Sequence, residues 1–159
     1  MSESEIAPSF EEAKRLVNAG AMLPVHRRIL ADTETPVSAY MKIRAEDRYS
    51  FLLESVEGAE KYARYSFLGV DPFLKFSASG TRSEAHDRRS NTNDVRDGNP
   101  ISHLRELLHQ HRGIPLEGLP RFSGGAVGYF AYDAVRWVEK ISDSGTDDIG
   151  LDDAVFLFY

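Results

Sequence analysis

Short strand-like runs follow one another along this chain with only brief breaks between them. That succession limits the fold more than any other feature. YSFLLESV (49–56), ARYSFLGV (63–70) and FLKFSAS (73–79) each carry the aromatic and aliphatic side chains that suit a pleated, half-buried surface. In the first run Phe51, Leu53 and Ser55 fall on one face, and Leu52 and Glu54 on the other. Glu57-Gly58, Gly69 and Asp71-Pro72 supply the breaks. The three runs are expected to form an antiparallel meander. Strands lead and helices interrupt them without a regular βαβ alternation, so the expected class is α+β, antiparallel strands with a few helices, rather than doubly wound α/β.

The helices announce themselves by their ends. Ser9 and Glu12 have capping-box spacing, which predicts a short amphipathic helix over about residues 10–19 with Gly20 as its stop. Thr35-Pro36 offers an N-cap and an N1 proline for a second helix through about Lys42. Asn99-Pro100 starts the clearest one, with Ile101, Leu104, Leu107 and Leu108 at helical spacing and Gly113 as its end. LPVHRRILA (23–31) is a strand candidate. FSGGAVGYFAYDAVRWVE (122–139) begins as a glycine-rich strand and is expected to turn helical near Asp133. Residues 139–153 are acid-rich and read as an exposed connector. Residues 81–100 hold four Arg against four acids and almost no large apolar side chain, so a mobile loop is expected there. Within it the Arg88-Arg89 pair reads as solvated rather than as a phosphate site.

Composition excludes several function classes. At 159 residues the chain has one domain's worth of sequence. Its net charge of −6 disfavours nucleic acid and anionic membrane as partners. The absence of cysteine removes disulfides, thiolate metal sites and thiol catalysis together. No apolar run approaches the roughly 20 residues needed to span a bilayer. The acidic start MSESEIAPSFEEAKRL resembles neither a signal nor a transit peptide, so a soluble cytoplasmic protein is expected. The sequence stops in the apolar run AVFLFY (154–159), which has strand character and suggests a piece of a longer protein or a strand with an outside partner.

Few residues suggest chemistry. His26, His86, His103, His109 and His111 lack metal-ligand spacing and read as surface histidines, so no metal site is expected on this chain. There is no G-x-S-x-G elbow, and no Ser–His–Asp set singles itself out. Gly124, Gly125 and Gly128 fit neither phosphate-loop pattern; glycines inside a strand instead allow close approach of another backbone. Glu54-Ser55 is different. A carboxylate and a hydroxyl at the end of an apolar strand are the acceptors that an α-amino acid's ammonium needs. Arg64, on the next run, would meet a carboxylate or pair with Glu54. The alternative is a polar strand end facing water.

FLLESVEG (51–58), ARYSFLGVDP (63–72) and GGAVGYFAYDAVR (124–136), with LPVHRRILADTETPVSAYMKI (23–43) before them, resemble in order and spacing the N-terminal region of anthranilate synthase component I. The resemblance runs from about residue 10 to the end and is weakest across 81–100. It implies an incomplete part of that family's larger sandwich fold. It further implies an enzyme converting chorismate to anthranilate, with ammonia from a glutamine amidotransferase subunit and with magnesium. The C-terminal chorismate-binding half that holds the catalytic and metal residues would lie beyond this sequence, which therefore carries no catalytic residue. Tryptophan is the family's feedback inhibitor, and the LLES motif belongs to its allosteric site. Carried onto this sequence, that site comprises Leu53, Glu54 and Ser55, with Arg64 and Tyr65 beside them. Component I of aminodeoxychorismate synthase shares the architecture and is one alternative. A stand-alone amino-acid-binding module and a docking element for the amidotransferase are the others.

Overall fold

The computed structural model describes residues 6–17, 21–54, 65–142 and 149–159. The chain divides into two compact units: residues 1–72 with 113–123, and residues 73–112 with 124–159. Together they form a mixed fold of helices and antiparallel sheets, so the chain is α+β.

In the first unit, β1 (Ile6–Ala7) pairs antiparallel with β2 (His26–Arg27). Between them lies α1 (Phe10–Leu16), entered through the capping box expected at Ser9 and Glu12: Ser9 N–H donates to Glu12 Oε2 at 2.9 Å. The helix is shorter than its apolar spacing suggests, and the strand expected over 23–31 shrinks to two residues. The second helix, α2 (Pro36–Ile43), has Thr35 as N-cap and Pro36 in its first turn. Thr35 N–H donates to Ser38 Oγ, and Ser38 N–H to Thr35 Oγ1. Glu34 anchors both Ser38 and Lys42. β3 (Ser50–Leu53) and β4 (Phe67–Val70) complete the unit as an antiparallel pair, in the register Ser50↔Val70 to Leu53↔Phe67.

The expected meander stops there. The third run, β5 (Leu74–Ser79), belongs to the second unit and pairs instead with β6 (Arg82–Asp87) and β9 (Ala154–Phe158). With β7 (Thr92–Asp97) and β8 (Ala126–Phe130) these make a five-stranded sheet in the order β7-β6-β5-β9-β8. Residues 81–100 are therefore not a loop. They hold a whole β-hairpin, β6 with β7, followed by the start of α3 (Pro100–Gln110). Low hydrophobicity did not prevent this, because β6 buries only the small side chains Ser83 and Ala85, and β7 is an edge strand whose side chains are nearly all exposed. Backbone pairing suffices where side chains need not fill a core.

The core of this unit joins Leu74, Phe76 and Ala78 of β5, Ala85 of β6, Ala154 and Phe158 of β9, and Leu104 and Leu107 of α3. β5 shows the alternation cleanly, with its first, third and fifth residues buried. α3 turns Pro100, His103, Leu104 and Leu107 inward, while Leu108, expected on the apolar face, is 45% exposed. The strand expected near residue 124 is β8, and it leads into a 3₁₀ turn at Tyr132–Trp137, close to the expected change at Asp133. Trp137, the last residue of that turn, is held twice: its Nε1–H donates to Gly80 O at 2.7 Å, and its carbonyl accepts from Asn99 Nδ2–H at 2.9 Å. Asn99 also caps α3 by accepting from Ile101 N–H.

The glycines of the GGAVGYF segment act as the sequence suggests. A Cβ on Gly128 would overlap Val155 O and lie 2.7 Å from Phe156 Cα on β9, and backbone cannot yield as a side chain tip can. Gly128→Ala is expected to lower stability by about 1–3 kcal/mol in urea unfolding. Gly113→Ala, where the nearest neighbour would be Met22 O at 3.8 Å, should stay within about 0.5 kcal/mol of the parent.

Candidate functional site

The residues singled out at the LLES motif sit at the loop end of the β3–β4 hairpin. Leu53 is the last residue of β3 and faces Phe67, the first of β4, across the ladder. Alternation puts Phe51 and Leu53 on one face of β3. On that face Phe51 and Phe67 both meet Phe122, with ring centroids at 6.2 Å and 5.3 Å. On the opposite face Ser50 Oγ hydrogen-bonds Tyr40 Oη of α2 at 2.8 Å. The hairpin is thus held on one side by an aromatic cluster and on the other by a helix. Its pairing ends where Glu54 begins.

Leu53 is 46% exposed and Tyr65 49% exposed; Glu54 is exposed as well. Tyr65 lies over the hairpin end, its ring 6.2 Å from that of Phe67. The structure therefore brings Leu53, Glu54 and Tyr65 to one end of one hairpin. Ser55 and Arg64 lie outside the described residues. Among the described residues, Glu54 has no hydrogen-bond or ion-pair partner. Leu53, Glu54 and Tyr65 are each exposed there. Side chains of these kinds offer an ammonium acceptor and apolar contact.

Two features escaped the sequence reading. A cavity of about 500 Å³ opens in the first unit, lined among others by Pro8, Glu12, Arg15, His26, Leu116 and Glu117. His26, read as a surface histidine, has its Nδ1 atom buried there without a hydrogen-bond partner. His103, also read as a surface histidine, is 3% exposed and holds Ser83 Oγ at 2.8 Å through Nδ1. It occupies a core position of α3, and the only sequence signal was its place one turn before Leu107. Among the described residues no group of three or more His, Asp or Glu is placed to hold a metal ion. Among them, too, no helix is long and apolar enough to cross a membrane.

No protein-family model matches the sequence. Curated relatives do. An anthranilate synthase component 1 from Acetivibrio thermocellus is 38% identical over 151 residues, covering 95% of this chain. One from Synechocystis is 41% identical over 84% of it, and a probable anthranilate synthase component 1 from Schizosaccharomyces pombe is 34% identical over 96%. The chain is homologous to the N-terminal part of anthranilate synthase component 1. It spans 30%, 26% and 28% of the length of these three relatives.

The hairpin that carries the LLES motif depends on Gly69. That glycine faces Phe51 across the ladder, and a Cβ there would overlap the Phe51 ring, already packed on Phe122. Gly69→Ala is expected to cost about 1–3 kcal/mol and to alter the near-ultraviolet circular dichroism of the aromatic cluster. An unchanged spectrum with unchanged stability would mean that Phe51 swings aside freely.

Proposed function

We propose that this chain is the N-terminal regulatory and structural part of an anthranilate synthase component I. The observation that carries the reading is 38% identity maintained over 95% of the chain to a curated component 1. The complete enzyme converts chorismate and glutamine-derived ammonia to anthranilate, a step of tryptophan biosynthesis in the cytoplasm. A glutamine amidotransferase subunit supplies the ammonia, and a C-terminal chorismate-binding half carries the chemistry. The described residues do not fit the magnesium ion of that reaction, since no three ligating side chains converge among them. No catalytic step is assigned to this chain.

Its part is control. Glu54 and Ser55 accept hydrogen bonds from the ammonium of tryptophan, Leu53 and Tyr65 give apolar contact to the indole, and Arg64 balances charge nearby. The loop end of the β3–β4 hairpin supports this reading, because Leu53, Glu54 and Tyr65 all lie exposed there. The surface is only one wall of a pocket; the C-terminal half supplies the other. Inhibition is then a two-state coupling. Tryptophan binds one conformation of the whole enzyme more tightly, and chorismate affinity falls by the same free energy.

In the full-length enzyme Glu54→Ala and Ser55→Ala are expected to raise the tryptophan concentration needed for half inhibition while leaving uninhibited turnover intact. Losing a carboxylate that holds a buried ammonium costs about 2–5 kcal/mol. Normal sensitivity in both variants would remove these residues from the inhibitor site. The isolated chain is expected to show weak or no heat of binding on calorimetric titration with tryptophan. Micromolar affinity would favour a stand-alone amino-acid-binding module instead.

A further inference from the structure

Among the described residues His103 is the one buried titratable side chain, and a polar group lies toward each of its ring nitrogens. It projects from α3 against the sheet, its ring edge-on to Phe76 of β5 at 5.5 Å. Nδ1 lies 2.8 Å from Ser83 Oγ of β6. Nε2 lies 3.5 Å from Asp94 Oδ2 of β7, too far for a good hydrogen bond. With a carboxylate facing Nε2, the neutral ring carries its proton there, and Nδ1 accepts from the Ser83 hydroxyl. Both Ser83 and His103 are 3% exposed, so no substrate reaches the hydroxyl. The set has the composition of a nucleophilic triad without its accessibility.

Asp94 is also already occupied. Arg96, on the same edge strand, donates to it through Nη2 at 2.7 Å and Nε at 3.0 Å, and reaches Glu106 of α3 through Nη1 at 2.6 Å. An imidazolium at His103 would find Asp94 shared with this fork, and the guanidinium close by. Its Nδ1–H would displace the proton of Ser83, whose other acceptor among the described residues, Arg96 O, stands at 3.5 Å.

We propose that Ser83, His103 and Asp94 form an acid-sensitive clasp holding α3 against the β6–β7 hairpin, and that Arg96 sets its sense by monopolising Asp94. Among the described residues, the charged groups bearing on His103 are Asp94 and Arg96 from β7 and Glu106 from its own helix. Burial and then Arg96 push its pKa below the ordinary histidine value, against Asp94 and Glu106. The opened form therefore binds the extra proton more readily. The clasp is intact above about pH 6.5 and weakens as pH falls through the histidine range. The carboxylates Asp94 and Asp87 are both held below their usual range and stay ionised throughout that window.

The test is amide hydrogen exchange of α3 and β7 in the whole chain between about pH 7.5 and pH 5, with the His103 imidazole followed by NMR. Protection, corrected for intrinsic exchange, should fall on acidification in the parent and in His111→Gln, and lose that dependence in His103→Gln. Arg96→Met frees Asp94 to pair with the imidazolium, so the His103 midpoint should rise by about one pH unit or more. Asp94→Asn should lower it, and this second variant stands if the first does not fold. Parent protection that does not change with pH, or a midpoint that fails to move in these opposite directions, overturns the proposal.

Discussion

The second unit depends on one placement: β9 lies between β5 and β8. Its register brings Phe158 opposite both Leu74 and Ala126, and Ala154 opposite Ala78 and Phe130. The buried centre of the core, Phe76 with Phe158, thus joins residues more than half the chain apart in sequence. Pairings of that separation form only after a large loop-closure entropy is met. They persist because the apolar area that they bury is continuous with α3 above the sheet. β8 completes the arrangement only because Gly128 lets its backbone approach that of β9 without a Cβ between them. The local strand signals, the glycines and the apolar AVFLF run all serve this one non-local contact.

That dependence explains what could be read in advance. Helix starts were legible because capping is chemistry among near neighbours: Ser9 with Glu12, Thr35 with Ser38, Asn99 with Ile101. Strand existence was legible from side-chain type. Strand partnership was not, since nothing local in FLKFSAS tells it to leave the β3–β4 pair and accept β9. AVFLF, whose apolar side chains run without alternation, bears the mark of an inner strand, yet its partners lie far off in sequence. The β6–β7 hairpin was hidden for another reason. Composition measures what a segment can bury, and this hairpin buries little: its turn is set by Asn91 at positive φ and by Asp87, which accepts from the backbone of Arg89 and Ser90.

The hairpin site divides the same way. The motif FLLES singled out the candidate residues, and ladder register accounts for where Leu53 sits. Phe51 lies over Gly69, and the same register sets Leu53 opposite Phe67 at the last pair of the ladder. Sequence named the candidate side chains, and packing fixed the register that displays Leu53.

Asp94 and Glu54 are two acidic side chains in contrasting surroundings. Asp94 is engaged: contacts of 2.7, 3.0 and 3.2 Å to Arg96 involve both of its oxygens, and His103 Nε2 stands farther off at 3.5 Å. A carboxylate held this way orders a helix against a hairpin. Glu54 has no such fork among the described residues, and its neighbours Leu53 and Tyr65 stay exposed rather than packing into the aromatic cluster. Exposed to water, a lone carboxylate gains little from binding an ammonium. Enclosed by a second wall, the same carboxylate becomes far more effective, because the contact is then made in a lower dielectric. A hairpin end of this kind binds strongly only when another surface closes over it, and that requirement is what would couple inhibitor binding to the rest of a larger enzyme.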